Sequence, residues 1–146
     1  GMSKIEEFLT AEEEKAIVDA IRDAEKNTSG EIRVHLEKTS EIDVFDRAMD
    51  VFHNLKMDNT KLQNGVLIYV AVEDKTFVIY GDKGINDVVS DDFWDTTRNA
   101  IQLQFKQGNF KQGLVDGIEK AGMALAKYFP WKKDDIDELP NTISKG

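Results

Sequence analysis

Asn64-Gly65-Val66-Leu67-Ile68-Tyr69-Val70-Ala71-Val72 is an unbroken apolar run opened by a turn dipeptide. A run of this length without polar alternation reads as a strand buried on both faces, and therefore as the centre of a sheet. Glu73-Asp74-Lys75 is a short polar turn, and Thr76-Phe77-Val78-Ile79-Tyr80 follows it as a second strand. The two should form an antiparallel hairpin. Upstream, Ile32, Val34 and Leu36 alternate with Glu31, Arg33, His35 and Glu37. That pattern predicts a strand with one wet face. Between it and the central run, Phe45, Ala48, Met49, Phe52 and Leu55 recur at helical spacing over residues 42 to 56. A helix joining two strands makes them parallel, by a right-handed crossover, so the sheet is mixed.

Helical patterns flank this unit. Thr10 and Glu13 make a capping-box pattern, and Ala16, Ile17, Ala20, Ile21 and Ala24 then share one face of a helix that runs to about Asn27. After the hairpin, a helix is expected from Ser90, with Asp91 and Asp92 suited to its N-terminus and Trp94, Ile101 and Phe105 inward. A last helix is expected from about Lys111 to Tyr128, with Leu114, Ile118, Ala121 and Leu125 on its core face, ending before Pro130. Residues 1–131 are thus read as one α/β domain and residues 132–146 as an extended C-terminal tail.

The chain has 146 residues, enough for one core of ordinary size, with 40% hydrophobic and 32% charged residues. Its 28 acidic and 19 basic side chains leave a formal charge of −9. A surface of that sign repels phosphate backbones and anionic headgroups, so nucleic acid is not an expected partner. Cysteine is absent, which excludes disulfides, thiolate zinc sites and a cysteine nucleophile. Ser3-Lys4-Ile5-Glu6-Glu7 is polar where a signal peptide is apolar, and no stretch reaches the ~20 apolar residues that span a bilayer. Cytoplasmic residence is the expectation, with a monomer favoured.

Four stretches carry a further signal: Ser29-Gly30-Glu31-Ile32, Asn64-Gly65-Val66-Leu67-Ile68, Tyr80-Gly81-Asp82-Lys83-Gly84-Ile85, and Phe105-Lys106-Gln107-Gly108-Asn109-Phe110-Lys111-Gln112-Gly113-Leu114. In this order they resemble the TPM domain family, over roughly Ala11 to Tyr128. Asp137-Glu138-Leu139-Pro140-Asn141 is also similar to the tail of soluble bacterial members. The resemblance implies an α/β/α sandwich, a small mixed β-sheet flanked by helices, with a cleft associated with divalent cations. Weak acid phosphatase activity, attributed to a chloroplast member, is implied in the same way.

The residues themselves say where chemistry would lie. The topology brings the start of the first strand, the start of the second and the end of the third to one edge, and with them Glu31, Asn64 and Asp82. The next loop adds Asn86, Asp87, Asp91 and Asp92. Carboxylate and amide oxygens suit calcium or magnesium. The expected metal set is Asp82, Asp87, Asp91 and Asp92, supported by Asn64 and Glu31. The bland reading stands beside it: Asp91 and Asp92 complement a helix dipole and Asp87 is a solvated loop residue. An EF-hand is excluded, since Gly84 and Asp87 fall where that motif needs a ligand and a glycine.

A cation there could polarise a phosphoryl group, with an aspartate as base and Lys83 steadying the anion. No Walker loop, Gly-x-Ser-x-Gly elbow or His-x-x-x-His pair is present. The alternative is a non-catalytic adaptor whose acidic cleft or strand edge binds a protein concerned with assembly or repair of membrane complexes. His35 and His53 read as surface or boundary residues, and Trp94, Trp131, Phe105 and Phe110 as packing residues.

Overall fold

The computed structural model describes residues 8–132 and 139–146. Three strands, β1 (Glu31–Glu37), β2 (Gly65–Ala71) and β3 (Thr76–Gly81), form the centre of the sheet. Every residue of β2 is buried, as its uninterrupted apolar sequence requires. β1 pairs parallel with β2 and β3 antiparallel, so the sheet is mixed. A fourth strand, β4 (Ser144–Lys145), pairs parallel with the outer edge of β1 and completes the order β3-β2-β1-β4. Two residues of a charged tail carry too little periodicity to announce a strand, and the three-strand expectation is corrected to four. The tail residues 133–138 lie outside the described residues.

Helices cover both faces. α1 (Ala11–Glu25) begins at the expected capping box: Thr10 Oγ1 accepts the Glu13 N–H at 3.1 Å and Glu13 returns the bond to the Thr10 N–H at 3.0 Å. α2 (Val44–Asn54) is capped by Asp43, whose carboxylate accepts from the backbone of Phe45 and Asp46. After β3 come α3 (Lys83–Asn86), α4 (Asp95–Lys106) and α5 (Phe110–Tyr128). Ile17, Ile21, Ile101, Leu114, Ile118 and Leu125 close over Ile32, Val34, Leu36, Val66, Ile68 and Val70 on one face. On the other, Ala48, Val51 and Phe52 of α2 join Met57 over Leu67, Tyr69 and Ala71. Each such fully buried aliphatic side chain contributes about 1.5–3 kcal/mol over exposure, and this two-sided burial holds the α/β/α layers together.

Two local expectations are corrected. The helix expected from Ser90 starts at Asp95, because the Ser90 hydroxyl donates to the Asp92 carboxylate at 2.6 Å instead of capping a backbone amide. Turns at Ser90–Phe93 and Asp92–Asp95 then bring Trp94 down onto the core. The alternating face of β1 is not wet: Glu31, His35 and Glu37 are all buried. The polar atoms of His35 and Glu37 are matched by each other, by Tyr69 of β2, by Arg47 of α2 and by Ser144 of β4, which a period-two pattern cannot foresee.

Candidate functional site

Two polar assemblies lie at opposite ends of the sheet. At the first, the strand register does what the chain order suggested. Glu31 stands opposite Gly65, Val66 opposite Gly81, and the Asp82 N–H donates to the Gly65 carbonyl at 2.9 Å. Glu31, Asn64 and Asp82 therefore share one rim, and all three are buried. Gly65 between them has no room for a side chain without moving its neighbours, since a Cβ would lie 3.0 Å from the Met57 carbonyl oxygen. Asn64 Nδ2 donates to Ser29 Oγ at 3.3 Å, and Asn86 Nδ2 donates to the Gly81 carbonyl at 3.1 Å, so amides brace the rim on both sides.

Asp82 is the N-cap of α3. Its Oδ1 accepts the Lys83 N–H at 2.7 Å, while its Oδ2 is buried without a hydrogen-bond partner, in a residue only 9% exposed. A buried, unmatched carboxylate oxygen is costly unless a ligand, water or ion completes it. The negative charge of Asp82 also reaches Tyr80, whose hydroxyl is pushed above its ordinary range by burial first and by that charge second. The 56–63 loop closes the rim from above. It packs so tightly on α3 that a Cβ on Gly84 would lie 2.2 Å from the Leu62 carbonyl oxygen. Thr60, in the same loop, also buries its hydroxyl oxygen without a partner.

The remaining expected ligands do not gather there. Asp87 is exposed and pairs with Lys83 at 3.6 Å, Asp92 accepts from Ser90, and Asp91 is exposed. Among the described residues no three histidine or acidic side chains stand close enough to enclose one ion. The four expected aspartates therefore form no common cage at the rim.

The second assembly went unread in the sequence. Arg47 of α2 holds both oxygens of Glu37, Nε to Oε2 and a terminal nitrogen to Oε1, each at 2.8 Å. The Tyr69 hydroxyl donates to Glu37 Oε2. His35 Nε2 meets Glu37 Oε1 at 3.3 Å, its Nδ1 meets Ser144 Oγ at 3.0 Å, and its ring stacks on Tyr69. Burial works against the charge on Glu37, but the bonds from Arg47, Tyr69 and His35 outweigh it and hold the carboxyl down at about 2. Tyr69 is raised by burial and by Glu37, and His35 is lowered, chiefly by burial. The reading of His35 as a surface or boundary residue is thus corrected, whereas His53 is exposed and pairs with Asp58. A signal was present: an acid, two bases and an acid on one face of β1, beside a tyrosine in an otherwise apolar strand.

A mixed four-stranded sheet between helical layers, with a buried acid and amide rim at one end, defines an α/β/α sandwich. The model of the TPM domain matches residues 3–124, and the chain belongs to the TPM domain family. Two solution structures share the fold. The N-terminal domain of a Corynebacterium glutamicum protein aligns at a TM-score of 0.65 with 16% identity, over 80% of this chain and 74% of that one. The N-terminal domain of a P. gingivalis protein aligns at 0.69 with 17% identity, over 84% and 79%. No curated protein sequence matches the chain. No helix among the described residues is long and apolar enough to cross a membrane.

Proposed function

We propose that this TPM domain binds a divalent cation, calcium or magnesium, at the rim formed by Glu31, Asn64 and Asp82, and that weak phosphomonoester hydrolysis is the activity the bound ion supports. The observation that carries the reading is the Asp82 Oδ2 atom, buried with no partner in a residue otherwise fixed by its cap to Lys83. Asp82 anchors the ion, and Asn64 and Glu31 lend oxygen at its back. Asp87, Asp91 and Asp92 are assigned to the negative field at the mouth, or to the ion through water. When bound, such an ion supplies Lewis-acid polarisation of a phosphoryl oxygen. Lys83, exposed beside the rim, is positioned in sequence to steady the anion. The net charge of −9 favours cations over nucleic acid at this surface.

The test is calorimetric binding of calcium and of magnesium, followed by turnover of an aryl phosphate, with wild type and Asp82→Asn. Asparagine retains the cap, so the variant should stay folded. Binding and turnover that are both lost in Asp82→Asn support the proposal. Equal rates in the two proteins would refute the hydrolytic part. Binding without turnover, together with retention of a partner protein, would transfer the function to the adaptor reading.

A further inference from the structure

We infer that residues 143–146 are a strap that closes on the outer edge of β1 while His35 is neutral and opens when His35 takes a proton. Among the described residues the strap is held by few contacts. Ser144 and Lys145 pair with His35 and Leu36, and the Gly146 N–H donates to the Leu36 carbonyl at 2.8 Å. Ile143 packs at the margin of the core, and Lys145 Nζ meets Glu14 of α1 at 2.5 Å in a pair about one-third exposed. Yet this short segment covers the imidazole. A Cβ on Gly146 would come within 2.9 Å of His35 Nε2, and His35 is only 5% exposed.

The surrounding bonds fix the tautomer. Glu37 is ionised and accepts from Arg47 and Tyr69, so it can only accept from His35, whose Nε2 must carry the hydrogen. Nδ1 then has a lone pair, and the Ser144 hydroxyl donates to it. Protonating Nδ1 does not break this contact, because the hydroxyl can turn and accept. It does place a second positive charge under the strap. The groups that face the ring are Glu37 and Arg33 from β1, Tyr69 from β2, Arg47 from α2 and Ser144 from β4. The new charge loses water on burial, which outweighs the support it receives from the Glu37 bond and charge, and Arg47 and Arg33 oppose it further.

Opening the strap returns that water. Burial holds the His35 pKa below the ordinary 6.5, and linkage makes the effect reciprocal. Closure is fully favoured above the ordinary histidine value and weakens as pH falls through the lower value His35 has when covered. Gly146 also forms a wall of a cleft of about 440 Å³ with Lys38, Thr39, Glu41, Ile42 and Arg47. Opening would widen that cleft and bare the edge of β1 at His35 and Leu36.

The experiment is an NMR pH titration of the full chain from 7.5 to 5 without added metal, following the His35 ring and the exchange protection of the Gly146 amide corrected for intrinsic rates. Protection should fall on the order of fivefold or more as His35 titrates, and should stay level in His35→Gln. In Lys145→Ala, which loses the pair with Glu14, the His35 midpoint should rise toward 6.5. Constant Gly146 protection through the His35 titration, or the same decline in His35→Gln, overturns the inference. Should His35→Gln fail to fold, Lys145→Ala decides alone, and an unmoved His35 midpoint there also overturns it.

Discussion

Arg47 grips Glu37 with two parallel bonds of 2.8 Å, tying the first turn of α2 to the end of β1. The two partners are unequally placed, with Arg47 33% exposed at its side chain and Glu37 8%. Arg47→Met strands a buried anion, whereas Glu37→Gln frees a cation that can reach water. Chemical denaturation should therefore find Arg47→Met costlier, roughly 3–5 kcal/mol against about 1–2 kcal/mol for Glu37→Gln. The reverse order would mean that Arg47 is not what keeps Glu37 ionised.

Acid should act through the same carboxylate. The Glu37 pKa is depressed from 4.5 to about 2, so its contribution is complete above 4.5 and is lost as pH falls toward 2. The loss should match the cost of Glu37→Gln at neutral pH, about 1–2 kcal/mol once solvent screening at the part-exposed Arg47 is allowed for. Stability measured against urea across this range should fall more steeply for wild type than for Glu37→Gln.

Two glycines should respond to alanine for different reasons. At Gly84 a methyl group meets the carbonyl oxygens of Leu62 and Gln63 at 2.2 and 2.5 Å, backbone that cannot step aside cheaply. Gly84→Ala should cost about 3 kcal/mol or more and displace the loop over the rim. Gly108 has φ +78° and open space around it, so Gly108→Ala meets only backbone strain, about 1 kcal/mol. Thermal unfolding of the pair separates the two.

Tyr80 offers a reporter for the rim. Part of the upward push on its hydroxyl comes from Asp82. Asp82→Asn should lower the midpoint of the Tyr80 ultraviolet titration in the absence of metal, and a cation on Asp82 should lower it in wild type.

Much of this architecture is legible in the chain because it rests on apolar periodicity. The run from Val66 to Val72, the alternation of Ile32, Val34 and Leu36, and Ala48 and Phe52 of the helical stripe report burial directly, whereas Phe45 of that stripe is exposed. The meeting of Glu31, Asn64 and Asp82 at one edge followed from topology, and the register agrees. What stayed hidden was polar. His35 and Glu37 read as solvated because their partners Arg47, Tyr69 and Ser144 come from three other elements, and no local pattern encodes a match across 10, 32 or 109 residues. α3 was concealed because Gly84 suggests a loop, while its real reason is the backbone of residues 62 and 63 pressed against it. Asp87, Asp91 and Asp92 are near Asp82 in sequence, but turns and side-chain bonds direct them to Lys83, to Ser90 and to solvent.

The claim that matters most is that the unmatched oxygen of Asp82 is completed by a divalent cation. Its most direct measurement is the amide spectrum of the full chain titrated with calcium and with magnesium to concentrations on the order of millimolar. Shifts confined to the Glu31, Asn64–Gly65 and 81–87 amides, absent in Asp82→Asn, are the predicted result. Unmoved rim amides in wild type, or identical shifts in Asp82→Asn, would contradict it.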